Sequence, residues 1–302
     1  MPRYPIYIVS KGRFDDCYLG DRGPRTAWAL HRLGVPHFVV VEEQEADLYR
    51  AVVPATSTIL VLDPAYQRGY ETCDDLGDTK GKGPGPARNF AWDHSLPAER
   101  HWVVDDNITG FWRLTRNRKI PASSGRIFDA MEDFVDRYTN VAMAGPNYYM
   151  FAARKSIAPP FIPNTRIYSC NLILNSAPYR WRGRYNEDTD LSLRMLKDGW
   201  CTIEFQTFLQ WKMTTQTTKG GNTAEFYAKE GTVPKSQMLA KLHPNVTRLV
   251  WRFHRAHHMV DYRPFANNRL RLRPGVVIPD EPNEYGMVYR ERRGDQWVTV
   301  DA

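Results

Sequence analysis

Short apolar runs alternate with longer amphipathic stretches along the first third of the chain. Tyr4–Ser10 (YPIYIVS), His37–Val41 and Thr58–Asp63 (TILVLD) are apolar runs that end in turn residues, the pattern of buried strands. Thr26–Leu33, followed by Gly34 and Pro36, and Glu45–Val53 fit helices between them. Strands alternating with helices at this spacing predict βαβ units and a mostly parallel sheet. Pro64–Gly85 then turns polar and glycine-rich (GDTKGKGPGP) and reads as a loop, and Ala87–His94 starts a helix behind it.

The next apolar run is HWVVDDNITGFWRL, His101–Leu114, in which Trp102, Val103 and Val104 lead into Asp105, Asp106 and Asn107 before the chain turns through Gly110. Ligands of open α/β sheets bind beyond the carboxyl ends of such strands. Two adjacent carboxylates repel each other there, and a divalent cation such as Mg²⁺ or Mn²⁺ relieves that repulsion. The competing reading is a pair of aspartates capping a following helix. Arg88 and Asn89 lie in the first turn of the preceding helix, a place that attracts phosphate. The tract is neither a Walker loop, since no GKS or GKT follows, nor a Rossmann fingerprint between first strand and helix.

Further on, Ile127, Phe128, Met131, Phe134 and Val135 make Arg126–Tyr138 an amphipathic helix, and Val141–Ala153 reads as a strand or hairpin. Phe161–Asn175 (FIPNTRIYSCNLILN) runs into RWRGRYNEDTDLSLRMLKDGW. The first half of that cluster (Arg180, Trp181, Arg182, Arg184, Tyr185) is basic and aromatic. Glu187, Asp188 and Asp190 begin a helix that Gly199 ends. Acids in a first turn complement the helix dipole, which accounts for one or two of them. A carboxylate held near a substrate hydroxyl is a natural general base. Cys201–Met213 reads as a strand and is followed by a polar loop. The tail carries His243, His254, His257 and His258 among arginines, in a spacing unlike a zinc site. From about Pro274 the chain reads as a loose, charged appendage.

Composition narrows the functional classes. The chain has 302 residues, enough for one large α/β domain or two small ones, and a hydrophobic fraction of 42%. The net charge of +7 points to a polyanionic partner. Four scattered cysteines without a CxxC pair read as reduced thiols. MPRYPIYIV lacks the features of a signal peptide, and no apolar run is long enough to span a bilayer. A soluble, cytoplasmic protein is expected.

Five strings together resemble glycosyltransferases of the GT-A type, and within them the TET/JBP-associated glycosyltransferases of phages. They are SKGR (Ser10–Arg13), PARN (Pro86–Asn89), HWVVDDNI (His101–Ile108), NTRIYSC (Asn164–Cys170) and RWRGRYNEDTDLSLR (Arg180–Arg194). The resemblance implies a Rossmann-like mixed α/β sheet with helices on both faces. It also implies a glycosyltransferase domain over residues 1–265, with a nucleotide-sugar half to residue 115, an acceptor half from 116, and an extension over 266–302. Ser10, Lys11, Arg13, Arg88, Asn89, Asp105 and Asp106 would hold a UDP-sugar. Asp105, Asp106, Asn107 and His243 would hold Mn²⁺ or Mg²⁺. Asp188, with Glu187 beside it, would be the general base of an inverting transfer. Arg180, Trp181, Arg182, Arg184 and Tyr185 would grip hydroxymethylated DNA in a phage-infected cell. A protein or small-molecule acceptor, a nucleotidyltransferase and a non-enzymatic DNA-binding protein are the rival readings.

Overall fold

A computed structural model describes residues 1–76, 80–152, 159–212, 233–252 and 255–277, with short stretches at 281–282, 291–293 and 296–298. One ten-stranded sheet organises the chain. Its parallel part contains β5 (Ser57–Val61), β4 (His37–Val41), β1 (Ile6–Val9) and β6 (Arg100–Asp105), in that order. Beyond β6 the sheet becomes mixed through β11 (Cys170–Leu174), β9 (Val141–Tyr148), β12 (Cys201–Lys212), β7 (Ile108–Thr115) and β8 (Arg118–Pro121). β10 (Phe161–Pro163) pairs with β12, and β2 (Cys17–Tyr18) with β3 (Asp21–Arg22) forms a small separate ribbon. Strand register puts Val9 opposite Val40 on one side and Asp105 on the other, so the loops after β1, β4 and β6 open at one edge.

Burial on both faces explains why the parallel strands read as unbroken apolar runs. Ile6 and Ile8 face a core with α1 (Arg25–Arg32), α2 (Ala46–Arg50) and α5 (Arg126–Val135). Tyr7 and Val9 face the other side, where α3 (Pro64–Arg68) and α4 (Gly85–His94) pack. α6 (Glu187–Lys197) lies on that second side, with Leu191 and Met195 against Met143 and Ile173. The mixed α/β fold with helices on both faces is the one expected. α7 (Val233–Leu242) and the hairpin β13 (Thr247–Arg252)–β14 (Arg255–Val260) pack together, and α7 reaches α6 through Leu239.

Several expectations change in detail. The stretch expected as a loop over Pro64–Gly85 contains α3, whose first turn is capped by the Asp63 carboxylate accepting from the Ala65 amide at 2.8 Å. The helix expected over Arg126–Tyr138 ends at Val135, and that over Glu45–Val53 shortens to Ala46–Arg50 behind a 3-10 turn. β7 begins at Ile108, straight after the Asp106–Asn107 turn, and runs on through Gly110. Asp105 and Asp106 therefore cap no helix. The polar loop expected after residue 213 lies outside the described residues. No described helix is long and apolar enough to cross a membrane.

Candidate active site

The strand ends after β1, β4 and β6, the start of α6 and the end of β12 surround a cavity of about 760 Å³. Ser10, Lys11, Arg13, Arg88, Asp105 and Asp106 all line it, as do Asn107, Tyr185, Glu187 and Asp188. The two acid motifs, eighty residues apart in sequence, thus face one space.

The first pair is held tightly. Thr26, in the first turn of α1, donates its hydroxyl to the Asp105 carbonyl at 2.6 Å and accepts from the Ile108 amide at 2.9 Å, which fixes the turn. The Asp105 carboxylate accepts from Arg88 at 2.7 Å on one oxygen and from Lys212 at 2.6 Å on the other. Burial alone would push the Asp105 carboxyl up, but Lys212 and Arg88 outweigh it and bring it down to about 2. Asp106 accepts from the Ser10 hydroxyl at 2.9 Å and lies 3.5 Å from the Arg13 guanidinium. Its carboxyl is raised by burial, which Arg13 and Ser10 only partly offset. Asn107 is buried, and its side-chain oxygen has no hydrogen-bond partner among the described residues.

The second pair is held differently. Arg88 is 2% exposed and spans both pairs, with its other terminal nitrogen 3.4 Å from Glu187. Its guanidinium also stacks over the Trp181 ring at 4.6 Å. Burial pushes the Glu187 carboxyl up, and the neighbouring Asp188 charge adds to it, beyond what Arg88 pulls down. Asp188 is half-buried at the cavity wall, accepts from the Thr189 amide at 2.7 Å, and is raised for the same first reason. Carboxylates raised in this way, Glu187 to about 7, are better proton acceptors than ordinary ones.

Six residues expected at the site are placed elsewhere or otherwise engaged. Asn89 faces away from the cavity and exchanges two hydrogen bonds with the Trp181 backbone, at 2.9 and 3.0 Å. His243 does not reach Asp105: its ring nitrogens meet Asp190 and Lys197, both at 2.8 Å. Trp181 is buried in the core under α4 rather than offered to a base. Arg184 is fully buried, bonded to Asp74 and to the Lys80 and Gly81 carbonyls. Arg182 is drawn inward by Asp190 and Glu71. Arg180 alone of these arginines is exposed, paired with Asp93 across the Trp92 ring. In this loop the arginines are ion-paired within the protein, Arg182 with Asp190 and Glu71, Arg184 with Asp74 and Arg180 with Asp93. Tyr185 is buried as well, though it borders the cavity.

The cavity also gathers residues that the sequence did not single out. Lys212, at the end of β12, bonds Asp105 and, at 2.8 Å, the Ser169 hydroxyl. Tyr148 closes on the same Ser169 hydroxyl at 2.7 Å and stacks on Tyr168. Lys235 and His258 complete the far wall. His258 is the histidine at the cavity, and burial brings its pKa down to about 4, with Lys235 adding to the effect. The NTRIYSC string held the only advance signal for Tyr168 and Ser169.

The divalent-cation site that the resemblance implies does not fit these residues. Both Asp105 oxygens already carry protein cations, and His243 is turned elsewhere. Among the described residues no three His, Cys, Asp or Glu side chains gather as a metal site.

Residues 4–221 match the family model described as TET-Associated Glycosyltransferase. No curated protein matches. Among solved structures, mannose-6-phosphate isomerase from Helicobacter pylori shares 9% identity over 87% of this chain and 89% of that one, with a TM-score of 0.31. A likeness that weak bears on neither fold nor activity. With the family match covering most of the chain, and the two acid motifs meeting in one cavity, the chain belongs to the TET-associated glycosyltransferases and is a glycosyltransferase.

Proposed function

We propose that the enzyme transfers a sugar from a UDP-sugar to the hydroxyl of a 5-hydroxymethylpyrimidine in DNA, most simply 5-hydroxymethylcytosine, with inversion. The observation that carries this reading is the meeting of two acid pairs across Arg88 in one cavity, with Asp105 held as an anion and Glu187 and Asp188 raised. Ser10 and Arg13, set at the end of β1, suit the nucleoside, and Arg88 suits the diphosphate. The hydroxymethyl group is a primary alcohol, and Asp188 takes its proton as the oxygen bonds to the sugar carbon. The bond from that carbon to the diphosphate oxygen breaks, and its electrons leave with UDP. One-step inversion needs only this single base.

The acceptor surface shifts from the Arg180–Tyr185 loop to the β13–β14 hairpin. Register pairs Arg252 with Arg255, Val250 with His257 and Arg248 with Met259, so three arginines share one face. Trp251, 70% exposed, and His258, at the cavity, lie on the other. A hairpin with arginines on one face and an exposed indole on the other offers groups for a phosphate backbone and for a base.

The test is mass spectrometry of nucleosides from hydroxymethylated DNA after incubation with the enzyme and a panel of nucleotide sugars. A hexosylated base is expected, and plain DNA of the same sequence gives none. Changing Arg252→Ala together with Arg255→Ala should raise the KM for DNA and lower the slope of log KM against log salt by about 2, near one unit per phosphate contact. Transfer to a protein or small molecule, with hydroxymethylated DNA inert, overturns the acceptor assignment.

A further inference from the structure

We infer that Lys212 is a built-in cation that takes the place of a divalent metal at the donor diphosphate, so that donor binding and transfer proceed without a metal. The inference rests on the donor reading above and names the group that neutralises the leaving diphosphate.

Three observations carry it. Lys212 sits on the cavity face of β12, two residues beyond the buried Gln210, while Trp211 between them points to the opposite face and stacks on Tyr149 at 4.7 Å. The strand period of two therefore aims the ammonium at the Asp105 turn. Its nitrogen lies 2.6 Å from Asp105 and 2.8 Å from Ser169, and Tyr148 braces that serine. An ammonium has three N–H donors, so two hold it in place and one remains for a phosphate oxygen.

The second observation is the state of Asp105. A metal-binding carboxylate keeps an oxygen open for the ion. Here both oxygens are engaged, by Arg88 and by Lys212. The third is the balance of the whole cavity. Among the described residues, eight lysine and arginine side chains line it against five carboxylates. That surplus more than covers a diphosphate dianion, which in a purely acidic site would need Mg²⁺ or Mn²⁺ to be tolerated. As the bond from the sugar carbon to the diphosphate breaks, its electron pair moves onto the leaving oxygen. Lys212 and Arg88 meet that charge with fixed donors, and no ion has to be recruited.

Calorimetric titration of UDP separates the possibilities, with transfer assayed in parallel. The wild-type enzyme should bind UDP with the same affinity in EDTA and in Mn²⁺. Lys212→Met should weaken UDP by roughly tenfold to a hundredfold, the loss of a charge-assisted hydrogen bond. Lys212→Arg should recover most of that loss. Lys212→Asp would place a third carboxylate beside Asp105 and Asp106, and its UDP binding should become dependent on Mn²⁺. UDP binding by the wild type that vanishes in EDTA and returns with Mn²⁺ overturns the inference while leaving the donor reading intact. Unchanged UDP affinity in a folded Lys212→Met does the same. Failure to bind UDP under any of these conditions overturns the donor reading itself.

Discussion

Asp105–Asp106 and Glu187–Asp188 are both adjacent carboxylate pairs facing one cavity, yet their leading members titrate in opposite directions. Arg88 touches both pairs, so the difference does not come from it. It comes from Lys212, which contacts Asp105 and, with Arg88, brings it down to about 2, whereas burial outweighs the cations near Glu187 and Asp188 and raises both. Asp105 is fixed as an anion and serves as scaffold for cations, while burial raises its neighbour Asp106. The Glu187–Asp188 pair is kept ready to accept a proton. Environments that push two acids apart in this way assign their roles.

The largest effect should come from removing proton acceptance alone. Asp188→Asn keeps size and hydrogen bonding, and transfer should fall by about two to four decades with UDP affinity nearly constant. Single-turnover rates and calorimetry check this. If Glu187→Gln has that effect instead, the roles within the pair are exchanged.

Arg88→Met breaks the comparison from the middle. It strands buried carboxylates on both sides and should cost about 3–5 kcal/mol of stability, read by denaturant unfolding. It also removes the cation that pulls Glu187 and Asp188 down, so both rise further. A base is lost as pH falls through its pKa, and the acid limb of the transfer rate should therefore move to higher pH. In the wild type that limb should already lie above the range of an ordinary carboxylate. Asp105 behaves in the opposite sense. Its stabilising charge is complete above the ordinary aspartate value and is lost only as pH falls toward about 2. UDP binding should therefore persist at acidic pH where transfer has stopped.

The smallest effect should come from Ser10→Ala, which removes one hydrogen bond to Asp106. A loss near 1 kcal/mol, about fivefold in UDP affinity, is expected, with the acid limb unmoved.

Much of this site was legible in the chain because its acids are local motifs. An apolar run ending in Asp105–Asp106, and acids opening a helix at Glu187–Asp188, need only neighbours in sequence to be recognised. Lys212 had no such signal. It is a single lysine at a strand end, and its partner Asp105 lies 107 residues away. The histidine was misplaced for a related reason. His243 follows α7 and is held by Asp190 and Lys197, whereas His258 reaches the cavity from β14, and both placements depend on partners distant in sequence. Composition misled in the Arg180–Tyr185 loop, because exposed and ion-paired arginines look alike until their acids, Asp74 and Asp190, are located in space.

The knitting of that loop to the segment before α4 sets limits on how the enzyme can be re-engineered. Gly183 and Arg184 donate their amides to the Glu71 and Thr72 carbonyls at 2.8 and 2.9 Å, and Tyr70 bonds the Gly183 carbonyl at 2.9 Å. Gly83, with a φ of +72°, passes so close to the Arg184 carbonyl that an added Cβ would lie 2.9 Å from it. With the Arg184 side chain holding Asp74, Lys80 and Gly81, the two segments behave as one part, although a hundred residues separate them. A chimaera that exchanges residues 180–186 alone would inherit an arginine with no acid and a glycine with the wrong neighbour. The swappable cassette is the pair, residues 70–84 together with 180–186, moved from one parent.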